Sequence, residues 1–325
     1  MIYPKFLKKG GAVGIAALSG GIGEKRRAGF ELSLSNLKKR GFEIKKQGKI
    51  YTEDYPASGG KERGESFNSL VKDPDVAVIM NATGGDFCLE MLPYVDYAAF
   101  EQNPKWVQGY SDPTVLLYSL TTKCSVATIY SGNAGSFDMK KLHKSLEDNL
   151  SIIEGNVPIQ TSFEKYESGK GEGEYSLDTP VRWLSPSGDF SASGRLIGGC
   201  IECLRDIVGT PYDGGAEFLE KYKNDGFIWY FDIFAMPADM VFATLWRMRE
   251  IGYFKYAKAA VFGRVLIKND SFITLEDAVK RALGDLPFVL DADIGHVKPT
   301  MTLINGAFAV LNVKGQGGSL EMKLI

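Results

Sequence analysis

Residues 105–118 read KWVQGYSDPTVLLY, and this stretch has the pattern of a buried strand that turns directly into a helix. Lys105 to Gln108 is short and bounded like a buried strand. Pro113 has the fixed φ angle that suits the first position of a helix, so we expect a helix from that residue onward. The turn places Ser111 near a helix N-terminus, where backbone N–H groups favour negative charge. A strand, a tight turn and a helix in this order indicate an α/β fold.

Apolar, strand-like runs alternate with amphipathic helical stretches through the first half of the chain. The runs lie at 12–18, 42–46, 76–80, 105–109 and 125–129, and the helical stretches lie at about 26–40, 61–71, 86–92, 113–122 and 137–153. Such alternation predicts right-handed βαβ units on a doubly wound parallel sheet. Ligands of these sheets bind beyond the carboxyl ends of the strands, which is where Ser111 and the turn at Gly84–Gly85 are expected.

The second half has a different organisation. Residues 155–192 are rich in glycine and serine, which is typical of a loop or linker, and Trp183 within them is better explained as an apolar anchor than as the lining of a cleft. Beyond them we predict strands at 227–232, 258–263, 287–292, 308–313 and 319–324, with helices at about 237–250 and 274–283. At 325 residues the chain exceeds the usual size of one domain. We therefore predict a first α/β domain at 1–155, a linker at 156–192 and a mixed α/β domain at 193–325.

Composition excludes several classes of protein. A net charge of −2 argues against a nucleic-acid-binding protein, and a content of 44% hydrophobic and 24% charged residues is that of a globular protein. No run approaches a transmembrane span, and the apolar run at 12–18 is too short for a signal peptide and is better explained as the first strand. Four cysteines in so long a chain indicate a reducing compartment, so we expect a cytoplasmic protein.

Ser111 is the candidate nucleophile, because a hydroxyl on a tight turn stands clear of its own backbone and can attack a carbonyl. Ser and Asp are also preferred helix N-caps, so Ser111 and Asp112 can equally be explained as capping residues. The α/β-hydrolase elbow G-x-S-x-G is only half matched, since Pro113 stands where its second glycine belongs. The turn therefore needs catalytic partners before it indicates an enzyme.

A serine hydrolase of the usual kind needs a histidine as general base, and the chain has two histidines. His143 lies in a polar amphipathic stretch that predicts a solvated helix surface. His296 follows an apolar run, residues 287–294, that predicts a core strand carrying an imidazole behind Gly295. A structural histidine is the alternative, but His296 is the better candidate base if Ser111 is a nucleophile.

A third group has to orient the imidazole and stabilise its cation. Five apolar residues at 227–231 followed by Asp232 predict a buried strand with a carboxylate at its tip. The alternative is that Asp232 only caps the next helix. Asp291 and Asp293 compete for the role, but they lie so close to His296 along one strand that reaching its ring nitrogen is awkward.

Two further motifs indicate a metal or cofactor only weakly. Cys200-Ile201-Glu202-Cys203 has C-x-x-C spacing, but no second cysteine pair or nearby histidine completes a zinc site, and on a helix this spacing puts both sulfurs on one buried face. Gly21-Ile22-Gly23 begins a dinucleotide fingerprint, yet Arg26 stands in place of its third glycine. We therefore expect neither a metal nor an organic cofactor.

An ordered series of short motifs runs through nearly the whole chain, and Gly109-Tyr110-Ser111-Asp112 is the most specific of them. The others are Gly14–Ala17, Arg63, Asp73–Val76, Gly84–Gly85, Leu92–Asp96 and Asn103–Lys105 in the first half, and Leu196–Gly199, Gly209–Thr210, Gly263–Arg264 and Gly295–His296 in the second. In this order they resemble the LD-carboxypeptidase and microcin C immunity family of serine peptidases, which use a Ser-Glu-His triad.

The resemblance implies roles for individual residues. Ser111 would be the nucleophile and His296 the general base, and the amides of Gly85 and Asp112 would form the oxyanion hole. The resemblance also implies a flavodoxin-like first domain and a smaller, swivelling-barrel-like second domain. The sequence departs from the family at the acid, since Asp232 is one methylene shorter than the family's glutamate. We expect either a closer approach of the strand to His296 or a loosened triad.

Three functional hypotheses follow. The leading one is a serine peptidase of carboxypeptidase type that trims murein peptides during cell-wall recycling. The alternative within the family is an amidase that cuts a peptidyl or aminoacyl nucleotide such as processed microcin C, and Gly84-Gly85-Asp86-Phe87 is closer to that branch. The third is a catalytically silent protein that binds a small ligand. The expected partner is a small peptide or peptidyl-nucleotide substrate, with no nucleic acid and no membrane, and the resemblance suggests a homodimer.

Overall fold

The computed structural model describes residues 1–169 and 173–325, which form two compact units. The first unit comprises Met1–Val157 together with residues 173–174, and the second runs from Pro158 to Ile325. The predicted linker at 156–192 therefore contributes mainly to the second unit, and its residues 170–172 lie outside the described part of the chain. With this segment included, the second unit is about as long as the first.

The first unit is built on a parallel sheet. Its strands are β1 (Ala12–Ala16), β2 (Glu43–Gln47), β3 (Val76–Asn81), β4 (Trp106–Gly109) and β5 (Thr128–Tyr130), and its helices are α1 (Glu24–Arg40), α2 (Gly60–Lys72), α3 (Tyr97–Gln102), α4 (Thr114–Cys124) and α5 (Lys144–Ile153). Within the unit the strands follow the order β2-β1-β3-β4-β5, and every neighbouring pair is parallel. This is the flavodoxin-like order, in which the chain reverses direction across the sheet between β1 and β3. The predicted doubly wound sheet is thus confirmed.

Two predicted helices of this unit differ from the structure. The stretch predicted at 86–92 is a 3₁₀ helix, Cys88–Tyr94, which contains Pro93 and so cannot continue as a regular α-helix. The stretch predicted at 137–153 forms α5 only from Lys144, because the His143 side chain caps the helix by accepting a hydrogen bond from the Ser145 N–H. His143 is therefore a half-buried capping residue and not a solvated residue on the helix surface, and burial lowers the pKa of its imidazole.

The second unit is built on a mixed sheet, as predicted. Its strands are β6 (Gln160–Thr161), β7 (Lys165–Tyr166), β8 (Thr179–Pro180), β9 (Phe190–Cys200), β10 (Phe227–Asp232), β11 (Ala257–Gly263), β12 (Phe288–Ala292), β13 (Leu303–Asn305), β14 (Phe308–Lys314) and β15 (Gly317–Lys323), and its helices are α6 (Ile201–Ile207), α7 (Gly215–Lys221), α8 (Ala238–Glu250) and α9 (Leu275–Leu283). The main sheet has the order β12-β11-β10-β9-β14-β15-β6. Strands β9 to β12 are mutually parallel, while β14, β15 and β6 pair in antiparallel fashion. The parallel strands all present their carboxyl ends at one edge.

Aromatic side chains fill the core around β10. All six residues of this strand are buried, and the rings of Trp229 and Phe231 stack with their centroids 5.9 Å apart. The Phe231 ring also stacks on Phe262 of β11 at 5.0 Å. Aromatic pairs at such separations stabilise a core beyond the area that they bury. The end of β10, where Asp232 lies, is therefore held on a rigid element.

The predicted linker contains ordered structure. Residues Lys165–Tyr166 and Thr179–Pro180 pair as a small two-stranded sheet, and Gln160–Thr161 joins the edge of the main sheet. Trp183 is buried and donates a hydrogen bond from Nε1 to Asp293 Oδ2 at 2.9 Å, so it acts as an anchor. Among the helices of the described residues, none has both the length and the apolar character that a membrane crossing needs.

Candidate active site

Three loops meet at the carboxyl edge of the first sheet. Ser19 follows β1, Gly84 and Gly85 follow β3, and Ser111 follows β4. The reversal of strand order lies between β1 and β3, and crevices at such reversals are where doubly wound sheets bind ligands. The fold therefore brings the predicted nucleophile and the predicted oxyanion turn to the binding edge of their own unit.

Ser111 has the strained backbone expected of a nucleophile elbow. Its φ angle is +67°, a left-handed conformation that is unfavourable for a residue with a side chain. Pro113 precedes the first helical residue, Thr114, whose N–H donates to the Ser111 carbonyl at 2.9 Å. The Ser111 N–H donates to the Tyr130 hydroxyl at 3.3 Å. A capping role alone does not require this conformation, because N-cap residues normally have extended backbone angles.

Asn133 fixes Tyr110, the residue that precedes the candidate nucleophile. Its Oδ1 accepts a hydrogen bond from the Tyr110 N–H at 3.3 Å, and its Nδ2 donates to the Tyr110 carbonyl at 3.5 Å. Asn81 at the end of β3 donates to Asn133 at 3.4 Å and accepts from the Leu18 N–H at 2.9 Å. These two buried amides connect the ends of β1, β3 and β4. The sequence does not reveal them, because isolated asparagines carry no recognisable pattern.

The Gly84–Gly85 turn lies directly against the nucleophile turn. A Cβ atom added at Gly84 would lie 3.3 Å from the Ser111 Cβ and 3.4 Å from its Oγ. One added at Gly85 would overlap the Ser19 Oγ and lie 2.8 Å from the Gly20 nitrogen. At Gly85 only glycine allows the turn to approach the loop after β1 so closely, and at Gly84 a side chain would require a small shift of the nucleophile turn. Within the described residues, the N–H groups of Gly85 and Asp112 donate no hydrogen bond, so both amides remain available to a ligand.

The Asp112 side chain ties these loops together. Its buried carboxylate accepts hydrogen bonds from the Ser19 hydroxyl and, at 2.8 Å, from the Cys88 N–H. Burial raises the pKa of Asp112, although both of these donors act in the opposite direction. The residue after the candidate nucleophile thus anchors both the loop after β1 and the loop that contains Gly85. The sequence predicts a role only for the amide of Asp112, because the partners of its side chain are distant along the chain.

Arg63 is a second connector of these loops. Its side chain is almost fully buried, and its guanidinium donates to the carbonyl oxygens of Leu18 at 3.0 Å and of Phe87 at 2.9 Å. It also forms an ion pair with Glu90 at 2.5 Å. The family motif includes Arg63 without a role, and the structure shows that it braces the loop that carries the predicted oxyanion glycine.

The second unit brings Asp232 and His296 into direct contact. Asp232 is the last residue of β10 and is fully buried, and His296 lies four residues beyond the end of β12 with 9% of its side chain exposed. Asp232 Oδ2 lies 2.8 Å from the His296 Nδ1, and Asp232 Oδ1 accepts the His296 backbone N–H at 3.2 Å. We assign the proton of the neutral ring to Nδ1, so Nε2 is left as the proton acceptor.

Gly295 makes this contact possible. Its φ angle is +91°, and a Cβ atom added to it would collide with the Asp232 carboxylate. The shorter acid therefore reaches the imidazole through close approach of the two loops, which is the first of the two outcomes that the sequence leaves open. The Phe234 ring packs on the other side, with its centroid 4.9 Å from that of His296.

Asp293, one of the two competing carboxylates, binds other partners. Asp293 accepts hydrogen bonds from Trp183 and from the Phe163 N–H at 3.1 Å, and it forms an ion pair with Arg264 at 2.7 Å. Burial raises the pKa of both Asp293 and Asp291. Arg264 is thus a strand-end ion-pair partner, which is the interpretation that the sequence favours over a carboxylate-binding role. Asp293 ties the segment before β9 to the loop that leads to His296.

The C-x-x-C pair lies at the start of α6. Cys200 is the N-cap residue and is buried, while Cys203 within the helix is half-buried, and both are reduced. The predicted arrangement of both sulfurs on one buried helix face is therefore only partly met. Glu202 between them accepts backbone hydrogen bonds from Phe234 at 3.1 Å and from Ala235 and Met236 at 2.9 Å each. It fixes the loop that follows Asp232, a role that the sequence does not reveal.

Comparison with known proteins gives a consistent result. Residues 13–131 match the LD-carboxypeptidase N-terminal domain, and residues 193–311 match the LD-carboxypeptidase C-terminal domain. A Vibrio cholerae protein that carries a carboxypeptidase name is 35% identical over 65% of this chain and 66% of its own length. The microcin C7 self-immunity protein MccF of Escherichia coli is 30% identical over 58% of this chain and 60% of its own. The matches thus span slightly less than two thirds of these relatives.

Solved structures extend the similarity in fold to the whole chain. MccF in complex with aspartyl sulfamoyl adenosine superimposes with a TM-score of 0.82 at 22% identity, covering 99% of both chains. The muramoyltetrapeptide carboxypeptidase from Oxalobacter formigenes superimposes with a TM-score of 0.75 at 21% identity, covering 96% of this chain and 99% of that one. The two matching domains together show that this chain belongs to the LD-carboxypeptidase family of peptidases.

Proposed function

We propose that the protein hydrolyses an amide bond by serine catalysis, with Ser111 as nucleophile, His296 as general base and Asp232 as the acid that orients it. The observation that carries this proposal is the Asp232–His296 contact, in which both carboxylate oxygens are committed to one histidine. A merely structural histidine does not require a fully buried carboxylate at the tip of a strand. Family membership supports the hydrolase class.

The proposed reaction follows the usual course of acyl transfer. Nε2 of His296 takes the Ser111 proton as Oγ attacks the carbonyl carbon, and the imidazolium that forms is stabilised by Asp232. The N–H groups of Gly85 and Asp112 hold the negative charge that develops on the carbonyl oxygen. The protonated imidazole then gives its proton to the leaving amine. Water, deprotonated by the same histidine, releases the acyl group from Ser111.

The substrate that we favour is a murein peptide from which a terminal D-amino acid is removed. The carboxypeptidase names of relatives and the fold shared with the muramoyltetrapeptide enzyme support this class. The second candidate is an aminoacyl or peptidyl nucleotide, which is supported by the 30% identity to MccF. A catalytically silent binding protein remains the alternative of another class. The cytoplasmic location and the homodimer stay predictions.

Covalent labelling separates the hydrolases from the silent binder. We expect a fluorophosphonate probe to label the wild-type protein at Ser111, and Ser111→Ala to abolish both labelling and turnover. Ser125→Ala is the matched control, since Ser125 also has a positive φ angle, +52°, and follows the other end of α4. Labelling that persists in Ser111→Ala would refute the assignment. Release of D-alanine from murein tetrapeptide, compared with release of aspartate from aspartyl sulfamoyl adenosine, would then decide between the two substrates.

A further inference from the structure

The C-x-x-C pair at the start of α6 takes no part in the proposed reaction. Cys200 is the N-cap residue of this helix, and Cys203 is its third residue. The side chain of an N-cap residue reaches back over the second and third residues of its helix, as it does in a capping box. Residues three apart on a helix have Cα atoms about 5 Å apart, within the range of about 4.4–6.8 Å that a disulfide needs. The backbone therefore holds the two thiols where they can bond to each other.

The Cys200 thiol has partners on both sides within this turn. It donates a hydrogen bond to Oε2 of Glu202 at 3.0 Å. A hydrogen bond with the Cys203 thiol raises the pKa of Cys200 well above its ordinary value, and burial and the nearby charge of Asp232 act in the same direction. The two sulfurs are thus already in contact, and Cys200 is held in its protonated form.

The two thiols differ in their access to solvent. Cys203 is half-buried, whereas Cys200 has only 2% of its surface exposed. The other two cysteines, Cys88 and Cys124, are buried in the first unit. Thiol–disulfide exchange begins at an accessible thiolate, and a second thiol then resolves the mixed disulfide. Cys203 is therefore the thiol that an external disulfide can reach, and Cys200 is placed to resolve the adduct.

The neighbours of Cys200 connect the pair to the proposed acid and base. Cys200 lies directly opposite Asp232 in the parallel pairing of β9 with β10. Glu202, which accepts the Cys200 thiol, also accepts the Phe234 N–H at 3.1 Å. The Phe234 ring in turn packs on His296 with a centroid separation of 4.9 Å. When the Cys200 sulfur bonds to another sulfur, the carboxylate that holds this loop loses a hydrogen-bond donor.

We propose that Cys200 and Cys203 form a reversible disulfide that changes the surroundings of His296 and so lowers turnover. Disulfides of proteins in reducing compartments are usually transient and often sense oxidants, which is the role that this pair fits. Formation of the disulfide is independent of the proposed function, whereas its effect on turnover rests on that function.

The oxidant is a low-molecular-weight disulfide, RSSR, such as glutathione disulfide. The Cys203 thiolate attacks one sulfur of RSSR and releases RS⁻, which takes up the proton that Cys203 has lost. Cys200 then loses its proton, attacks the Cys203 sulfur of the mixed disulfide and displaces the second RS⁻, which leaves as RSH. Two protein thiols are oxidised to one disulfide, and one RSSR is reduced to two RSH.

The first measurement is chemical. The whole chain is equilibrated in glutathione buffers of increasing disulfide content, denatured in acid, alkylated with N-ethylmaleimide and weighed by mass spectrometry. The wild type should lose two alkylation sites together, which peptide mapping should assign to Cys200 and Cys203, and dithiothreitol should restore both. Cys200→Ser should retain one glutathione on Cys203, because the resolving thiol is missing. Cys124→Ser is the matched control and should be oxidised like the wild type.

The second measurement observes the proposed base without turnover. The chain has two histidines, so nuclear magnetic resonance of protein with isotope-labelled histidine separates His296 from His143. Oxidation should shift the His296 signal, because the Phe234 ring lies against it, and should leave the signal of His143 in the first unit unchanged. The kcat for amide hydrolysis should fall by about 10-fold and recover with dithiothreitol, since small displacements of catalytic groups are costly. Cys203→Ser should show none of these responses.

The outcomes separate this proposal from the proposed hydrolase. The proposal is overturned if the wild type forms no disulfide between Cys200 and Cys203 at the highest content of glutathione disulfide. It is also overturned if the disulfide leaves the His296 signal in place, or leaves kcat unchanged in a protein whose turnover depends on Ser111. A reversible disulfide that shifts the His296 signal in a protein without turnover would support the link between the two thiols and His296, and it would be the hydrolase that fails.

Discussion

The turn that carries the proposed nucleophile in the first unit and the proposed acid–base pair of the second unit are positioned by different physical means. Ser111 is held by backbone geometry, since its own φ angle is positive and a Cβ atom at the neighbouring Gly84 would lie only 3.3 Å from the Ser111 Cβ. His296 is held by a side-chain contact, in which Asp232 binds both its ring and its backbone N–H. The first arrangement depends on close backbone packing at glycine, and the second depends on one carboxylate.

This difference predicts how each region fails. Substitutions that add atoms should harm the nucleophile turn, because the loops around it are already in contact. Removal of a functional group should harm the acid–base pair, because one carboxylate performs the orienting role. Gly295 combines both effects. It belongs to the second unit, yet an added Cβ atom would collide there with the Asp232 carboxylate.

The largest effect is expected from Asp232→Ala. Without the carboxylate, the His296 ring loses the group that selects its tautomer, so we expect kcat/KM to fall by about 10⁴-fold. The exposed Asp270→Ala in the same unit is the control and should retain full activity. A loss of only about 10-fold in Asp232→Ala would remove this residue from the catalytic group, because the loss of a triad acid costs far more.

Asp232→Glu tests whether the shorter acid is an adaptation of the packing. The side chain is fully buried and already contacts His296 at 2.8 Å, so an extra methylene has no space. Although glutamate is the residue that the family uses, we expect it to reduce kcat/KM by about 10-fold through overpacking. An increase in activity would show that the triad of the wild-type protein is loosened.

Gly85→Ala tests whether close backbone packing positions the proposed oxyanion amide. The added methyl group would overlap the Ser19 Oγ, so the turn has to move and its N–H turns away from the developing oxyanion. Loss of one such donor typically lowers kcat by about 10²–10³-fold, and KM should change little. Gly59→Ala is the matched control, because a Cβ atom there meets nothing within 4 Å. Equal kcat values for the two variants would exclude Gly85 from the oxyanion hole.

Gly295→Ala separates backbone strain from collision with the acid. Gly252 has nearly the same φ angle, +89° against +91°, but has open space around it. Both alanine variants should lose about 1 kcal/mol of folding free energy from the left-handed conformation. Only Gly295→Ala should also lose activity, by about 10²-fold, because the collision displaces Asp232 from His296. Similar activities in the two variants would show that the collision is relieved without moving the acid.

The sequence predicts the structure best where a short local pattern marks the end of a strand or the start of a helix. The apolar run at 227–231 ends in an acid, and β10 ends at that residue. Likewise Pro113 marks the start of α4 to within one residue. Hydrophobic periodicity and helix-start residues depend only on neighbouring positions, so they can be recognised without knowing the tertiary contacts.

The sequence predicts the structure least well where glycines interrupt the apolar pattern that marks a strand. β9 runs from Phe190 to Cys200 and contains Gly194, Gly198 and Gly199, so the sequence pattern places its first residues in a linker. The glycines allow close packing, since a Cβ atom at Gly194 would lie 2.8 Å from the Phe227 nitrogen of β10. The need for glycine at these positions comes from packing against a distant part of the chain, so it leaves no periodic pattern in the sequence. The anchoring contacts of Glu202, Asn133 and the Asp112 side chain cannot be predicted from sequence for the same reason.

The smallest effect concerns Asp112, one of the side chains that connect the loops around Ser111. Burial raises the pKa of Asp112 above the ordinary value of 3.8, so the folded protein binds this proton more tightly than the unfolded chain does. The stabilisation that results is complete below the unfolded pKa and is lost as the pH rises through the raised folded pKa. Asparagine keeps an acceptor for the Cys88 N–H but does not titrate over this range. The melting temperature of Asp112→Asn should therefore rise relative to that of the wild type as the pH increases above about 4, by about 2–4 °C for each kcal/mol of difference.

Differential scanning fluorimetry across this range measures the prediction directly. Asp291 and Asp293, whose pKa values burial also raises, are common to both proteins, so the difference between the two curves isolates Asp112. The exposed Asp270→Asn is the control for loss of one charge and should follow the wild-type curve. If Asp112→Asn also followed that curve, Asp112 would have no proton-linked effect on folding. The hydrogen bonds of Asp112 to Ser19 and Cys88 would then contribute to the turn without a measurable dependence on pH.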